Sequence, residues 1–161
     1  MEFMLWATRS IHVFAAVVWL GGLLYMGGVL YPVMQHEKTI ASGQYVRMER
    51  RFAGFVWMSI WTVGITGAFL TIFTPRLVTG AFRSAWDFAF YLKLLLYVVM
   101  VSVAFRSTSI ITKMESLLRS ASEEELETRL GAQHRTLLRR RRINLSLGLI
   151  ILLISTSLAA R

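Results

Sequence analysis

Two side chains stand out for chemistry because each sits in an otherwise apolar stretch. His12 lies in IHVFAAVVWLGGLLYMGG (residues 11–28), and Lys93 lies in YLKLLLYVV (residues 91–99). An ionisable group inside a bilayer is costly, and it marks a functional site by default. A neutral imidazole is a good iron ligand, and histidine is a common axial ligand of haem. A lysine amine ligates iron only in its neutral form. Ala15 and Ala16 follow His12 at i+3 and i+4, with Trp19 at i+7, so the face beside the imidazole has room for a flat group. A haem b there would turn its propionates toward Arg9, Arg76 or Arg83. The competing reading of His12 is a helix–helix hydrogen bond to Thr66 or to a hydroxyl of the last apolar run. For Lys93 it is an amine that snorkels to the surface.

These residues need helices to hold them. The chain has 161 residues, is 55% hydrophobic and has a mean hydropathy of +0.55, too apolar for an ordinary soluble domain. A spanning helix takes about 20 mainly apolar residues. Residues 5–31, 52–74, 88–105 and 143–160 qualify. No cleavable signal is expected, since the first run is long and no A-x-A site follows it. The absence of cysteine excludes disulfides, thiolate metal sites and covalent haem attachment. The expectation is one all-α domain, an integral membrane four-helix bundle with a cytoplasmic helical extension at about 107–142.

Charge orients the bundle. Thirteen Lys/Arg residues fall in the first and third loops (Lys38, Arg47, Arg50, Arg51, Arg106, Lys113, Arg119, Arg129, Arg135 and Arg139 to Arg142). Four (Arg9, Arg76, Arg83 and Arg161) fall on the other side. The excess faces the cytoplasm, which predicts a bacterial inner-membrane protein with both termini periplasmic. The net charge of +9 therefore reflects topology and not nucleic acid binding. RRRR at 139–142 reads as an anchor suited to anionic lipid head groups. Ser122 and Glu125 form a capping-box pattern that starts a helix running into the fourth span. His134 on that helix and His36 in the first loop read as surface histidines.

With this orientation His12 lies about 5 Å below Arg9, and Lys93 about 9 Å past Asp87. TVGITG (62–67) ends about 12 Å before Pro75, and Ser155, Thr156 and Ser157 reach the same band. Polar and small groups of four helices thus converge in the outer leaflet. Gly64 and Gly67 give the second span a bare surface there, or else serve close helix packing. Trp6, Trp86 and Tyr91 match an interfacial aromatic belt.

Several segments resemble the CopD and HemJ membrane superfamily. HVFAAVVWLGGLLY is similar to its opening helix, with a histidine, a tryptophan seven residues on, and small residues. MERRF (48–52) resembles the M-E-R-R/K segment of HemJ-type protoporphyrinogen oxidases. TVGITGAF and YLKLLLYVV resemble the T-G-bearing second helix and the K-L-L third helix. The resemblance implies four helices and a haem b, with His12 and Lys93 matching the family's intramembrane histidine and lysine. The chain departs from HemJ where Y-L-P-R-L-F-V-Y-H becomes Tyr25 followed by MGGVLYPVMQH. It departs again where G-Y-H is replaced by residues 102–105, and where N-E-x-P shrinks to Asn144 and Leu145.

The ligand pattern survives better than the substrate pattern. This favours a cytochrome b-like electron carrier, alone or in a larger respiratory complex, over a protoporphyrinogen IX oxidase. Copper handling is the third reading. It wants soft ligands along a path, and Met26, Met34, Met48, Met58 and Met114 lie mostly toward the inner half. A homodimer or redox-complex partner is expected, with quinone or a periplasmic carrier exchanging electrons. The site residues are His12 and Lys93 as metal ligands, with Arg9, Trp19, Thr66, Gly67 and Arg83 around the cofactor.

Overall fold

The computed structural model describes residues 1–36, 43–73, 85–120 and 123–159, with side chains except at 36, 85–86, 123–125, 127 and 157–159. Every element among the described residues is helical. Helix α1 is Glu2–Tyr25, and a single π turn, Met26–Leu30, joins it to α2, Tyr31–His36. Helix α3 is Gly43–Phe73, α4 is Ala85–Ser120 and α5 is Glu123–Ala159. Three stretches are long and apolar enough to cross a membrane: Glu2–Gln35, Gly43–Phe73 and Asp87–Ser120. In hydrocarbon each backbone polar group must find its partner within the segment, and a helix achieves this.

Pro32 accounts for the π turn. It has no N–H for the carbonyl four residues back, and its ring would clash with that carbonyl. The backbone widens just before it, and the Tyr31 N–H bonds the Met26 carbonyl, five residues back.

The exterior is apolar. Phe14, Phe55, Ile65, Phe105 and Leu153 are each more than half exposed, the surface expected against lipid. Inside, Trp19, Leu23, Ile60, Met100 and Ala104 form one cluster. A second gathers Met26, Tyr31, Tyr45, Val46, Ile110, Ile111, Met114, Leu130 and Leu137 around the end of the bundle away from His12. Gly148 lets α5 close on α1, since a Cβ there would collide with Leu20 and come within 3.3 Å of Met100.

The helices outrun their apolar cores. α3 begins at Gly43, well before the apolar run that opens at residue 52, and α4 continues to Ser120 instead of ending near 105. Ser102, Ser107, Thr108, Thr112 and Ser120 of α4 each turn the hydroxyl back onto the carbonyl four residues earlier, which satisfies it within the helix. The expected loop at 107–142 is therefore the end of one helix and the start of another. Ser122 of the proposed capping box lies outside the described residues. The side chains of α5 are described only as far as Thr156, short of the end of its apolar run. Trp57 Nε1 donates to Thr108 Oγ1 at 3.0 Å, and Arg50 grips Glu115 through two bonds of 2.9 and 2.7 Å, tying α3 to α4. The exposed Arg50 pair contributes about 1 kcal/mol at most.

Candidate functional site

His12 reaches from α1 to α3. Its Nδ1 lies 2.9 Å from Thr66 Oγ1. The Thr66 hydroxyl has one proton, and it already donates to the Thr62 carbonyl at 2.5 Å. Thr66 must therefore accept, so His12 carries its proton on Nδ1 and a lone pair on Nε2. The ring also hydrogen-bonds the Val63 backbone, and an imidazole oriented in this way by hydrogen bonds is the arrangement that histidine ligands of metals use. The helix–helix hydrogen bond and a ligand role are thus compatible.

Gly67 receives the ring. A Cβ there would stand 3.2 Å from His12 Cε1, so the small-residue gap between α1 and α3 is filled by the imidazole itself. A haem cannot lie between His12 and α3. Nε2 of a neutral imidazole is a donor type that suits haem iron. Gly64 serves packing in the same way, since its absent Cβ admits the Tyr97 hydroxyl, which bonds the Ile60 carbonyl at 2.8 Å.

Lys93 comes from α4. It is half-buried, its amine lies 5.9 Å from the Phe90 ring centre, and its charge is close enough to act on His12. His12, Thr66, Gly67 and Lys93 thus gather from three helices. Trp19 is buried in the core below, with an indole N–H that has no partner among the described residues. Arg9 is exposed and lines a surface groove with Trp6, Ser10, Val13, Phe14 and Val17, on the far side of α1 from the Ala15–Trp19 face. Arg76 and Arg83 lie outside the described residues. The α5 hydroxyls do not join: Ser155 and Thr156 bond carbonyls of their own helix, and the Ser157 side chain is not described. Among the described residues no group of three His, Cys, Asp or Glu is poised to hold a metal ion.

A second polar assembly sits at the opposite end of the bundle. Glu49 on α3 is fully buried and pairs with Arg141 on α5. Tyr31 donates to Glu49 Oε1 at 2.8 Å, and Arg141 also donates to the Tyr31 oxygen. The guanidinium stacks over Tyr31 and Phe52, 5.6 and 4.6 Å from their ring centres. Tyr45 reaches His134 Nδ1 at 2.6 Å.

This corrects two expectations. His134 is no surface histidine: it is 2% exposed, and its Nε2 is buried without a partner among the described residues. Arg141 is not a solvated anchor but the buried half of an ion pair. Burial, with Arg141 and Arg135 nearby, lowers the His134 pKa from 6.5 to about 4, so the ring is neutral near pH 7. The signal was in the spacing, because Leu130, His134, Leu137, Arg141 and Asn144 step by four and three along one buried stripe of α5.

Comparison with protein-family models, with curated proteins and with solved structures gives no match, so function is argued from the chemistry of these two assemblies.

Proposed function

We propose that this chain is a four-span protein of the bacterial inner membrane, with both termini periplasmic, that binds haem b and carries electrons. His12 ligates the iron through Nε2. The carrying observation is the committed Thr66 hydroxyl, which orients the imidazole and leaves that nitrogen its lone pair. Bound haem would supply one-electron redox chemistry at the outer leaflet. Lys93 is the candidate for the opposite face of the iron, or a cation that pairs with a propionate or substrate. Arg9 at the outer end is a further propionate partner. A homodimer or a larger redox complex, with quinone or a periplasmic carrier, would complete the electron path.

An absorption spectrum of the purified protein tests this. A Soret band is expected, and His12→Ala should abolish it, because His36 and His134 lie at the other end of the bundle. A His12→Ala protein with a full haem complement and unchanged spectrum sinks the assignment. Lys93→Met separates its two roles: loss of the six-coordinate low-spin spectrum with haem retained means ligation, and an unchanged spectrum with lower activity means a proton or substrate role. Any catalytic activity would be that of an oxidoreductase, and oxidation of protoporphyrinogen IX is the assay for it.

Copper handling has one observation in its favour. Met26 and Met114 are buried in the inner core, and Met34 and Met48 pack against the same cluster. Thioethers suit Cu(I), although methionine also fills cores without any metal. A colourless preparation that retains copper would favour this reading over haem.

A further inference from the structure

The inner assembly lies roughly 28 Å from His12 along the axis of α1 and α2, too far to belong to the same site. It buries a carboxylate, a guanidinium, two phenols and an imidazole inside a bundle that has little other buried charge. Its bonds have a direction. A carboxylate only accepts, so Glu49 takes the proton of the Tyr31 hydroxyl at 2.8 Å; Tyr45, one helical turn before Glu49, is within hydrogen-bonding reach of both that carboxylate and the Tyr31 oxygen. With its proton turned to Glu49 or Tyr31, the Tyr45 oxygen is the acceptor for His134 Nδ1–H at 2.6 Å. His134 Nε2 then bears the lone pair, and this buried atom is the one member of the chain without a partner among the described residues.

We propose that His134, Tyr45 and Glu49 form a proton relay at the cytoplasmic end of the bundle, with Nε2 of His134 as the intake and the carboxylate of Glu49 as the acceptor. One proton arrives at Nε2. The Nδ1 proton passes to the Tyr45 oxygen as the Tyr45 proton passes to Glu49. The chain ends with a neutral Glu49 carboxyl, an intact Tyr45 phenol and His134 in its other neutral tautomer. The assembly gains one positive charge, and no bond between heavy atoms changes.

The surroundings suit this task. His134 is faced by Tyr31, Tyr45, Arg135 and Arg141, and its preference for neutrality makes it a carrier rather than a resting place. Glu49 is faced by Tyr31, Tyr45 and Arg141, while α4 offers this core the apolar Ile110, Ile111 and Met114. The acidic residue of α4 nearby, Glu115, is already paired with Arg50. Arg141 does not depend on the Glu49 charge alone. The Tyr31 oxygen and two aromatic faces still hold the guanidinium when Glu49 is neutral.

The test is infrared spectroscopy of the full-length protein in detergent after a rapid drop in pH, and it needs no haem. Among the carbonyl bands of the protonated carboxylic acids, one component from a buried carboxyl should appear, and Glu49→Gln should remove that component alone. Tyr45→Phe keeps the ring packed against Tyr31 and His134 but breaks the chain. It should slow the band at least about tenfold, the modest end of what a positioned proton-transfer group contributes. His134→Gln should do the same. An unchanged rate in Tyr45→Phe, or a Glu49 that stays ionised throughout the folded range, overturns the relay and leaves the assembly a static clamp. Haem content, measured on the same samples, reports separately on His12.

Discussion

At the residue scale the His12 site was half legible. His12 and Lys93 announce themselves because an apolar run makes any ionisable group conspicuous, and helical rise alone put Thr66 at their depth. The role of Gly67 was not legible. A glycine reads the same whether it admits a cofactor or a neighbouring ring, and only the 3.2 Å approach to His12 decides between them. If Thr66 orients the iron ligand, Thr66→Val should weaken haem binding by about 10- to 100-fold, and Thr66→Ser should restore most of it; titration with haem measures both. His134 gives a pH prediction. Between about 4 and 6.5 the unfolded chain takes a proton that the folded one refuses. Its contribution to stability is therefore full above 6.5 and is lost as the pH falls toward 4. Thermal unfolding in detergent should show that slope in the wild type and a flatter one in His134→Phe.

At the element scale all four apolar runs fall in helices of the described residues, three of them long and apolar enough to cross a membrane, and most of the charged sequence between the last two runs is helical up to Ser120 and from Glu123. Their ends were missed. Hydropathy reports where a helix meets hydrocarbon, not where it stops, and nothing in α4 breaks the helix between residue 105 and Ser120. The Glu49–Arg141 pair was missed for a related reason. Both residues sit among other arginines, in MERRF and RRRR, so their charges merged into a topology signal. Their pairing depends on how α3 and α5 pack, which no local pattern carries. That packing gives a direct test. Gly148→Leu forces a side chain into the space held by Leu20, and overpacking of this kind costs about 1–3 kcal/mol or more. A lower unfolding temperature is expected, while Gly131→Ala, where a Cβ meets nothing within 4 Å inside a helix, should stabilise by about 0.4–1 kcal/mol.

At the scale of the whole molecule, orientation rests on the thirteen-to-four division of Lys and Arg. A reporter fused after Arg161 should report the periplasm, and one inserted near Ala121 the cytoplasm. The opposite pair of signals would exchange the two ends, setting His12 against the cytoplasm and the Glu49 assembly against the periplasm. The long basic arms of α3, α4 and α5 argue for the first arrangement, since they carry most of the charge and stand beyond the apolar core.

The π turn at Met26–Leu30 acts as a phase setting. On an unbroken α-helix Tyr31 would point about 120° away from the face that carries Ala15, Trp19, Leu23 and Met26. One extra residue in a single turn takes back about 100°, a residue's worth of rotation, and swings Tyr31 onto that face against Glu49 and Arg141. The two ends of this first span are therefore indexed independently, one by His12 and the other by Pro32. Removing one of the paired glycines, Gly27 or Gly28, would take out the extra residue and leave a regular helix with the tyrosine still on that face, whereas Pro32→Ala would let the unbroken helix form at full length and turn the tyrosine hydroxyl out toward the lipid.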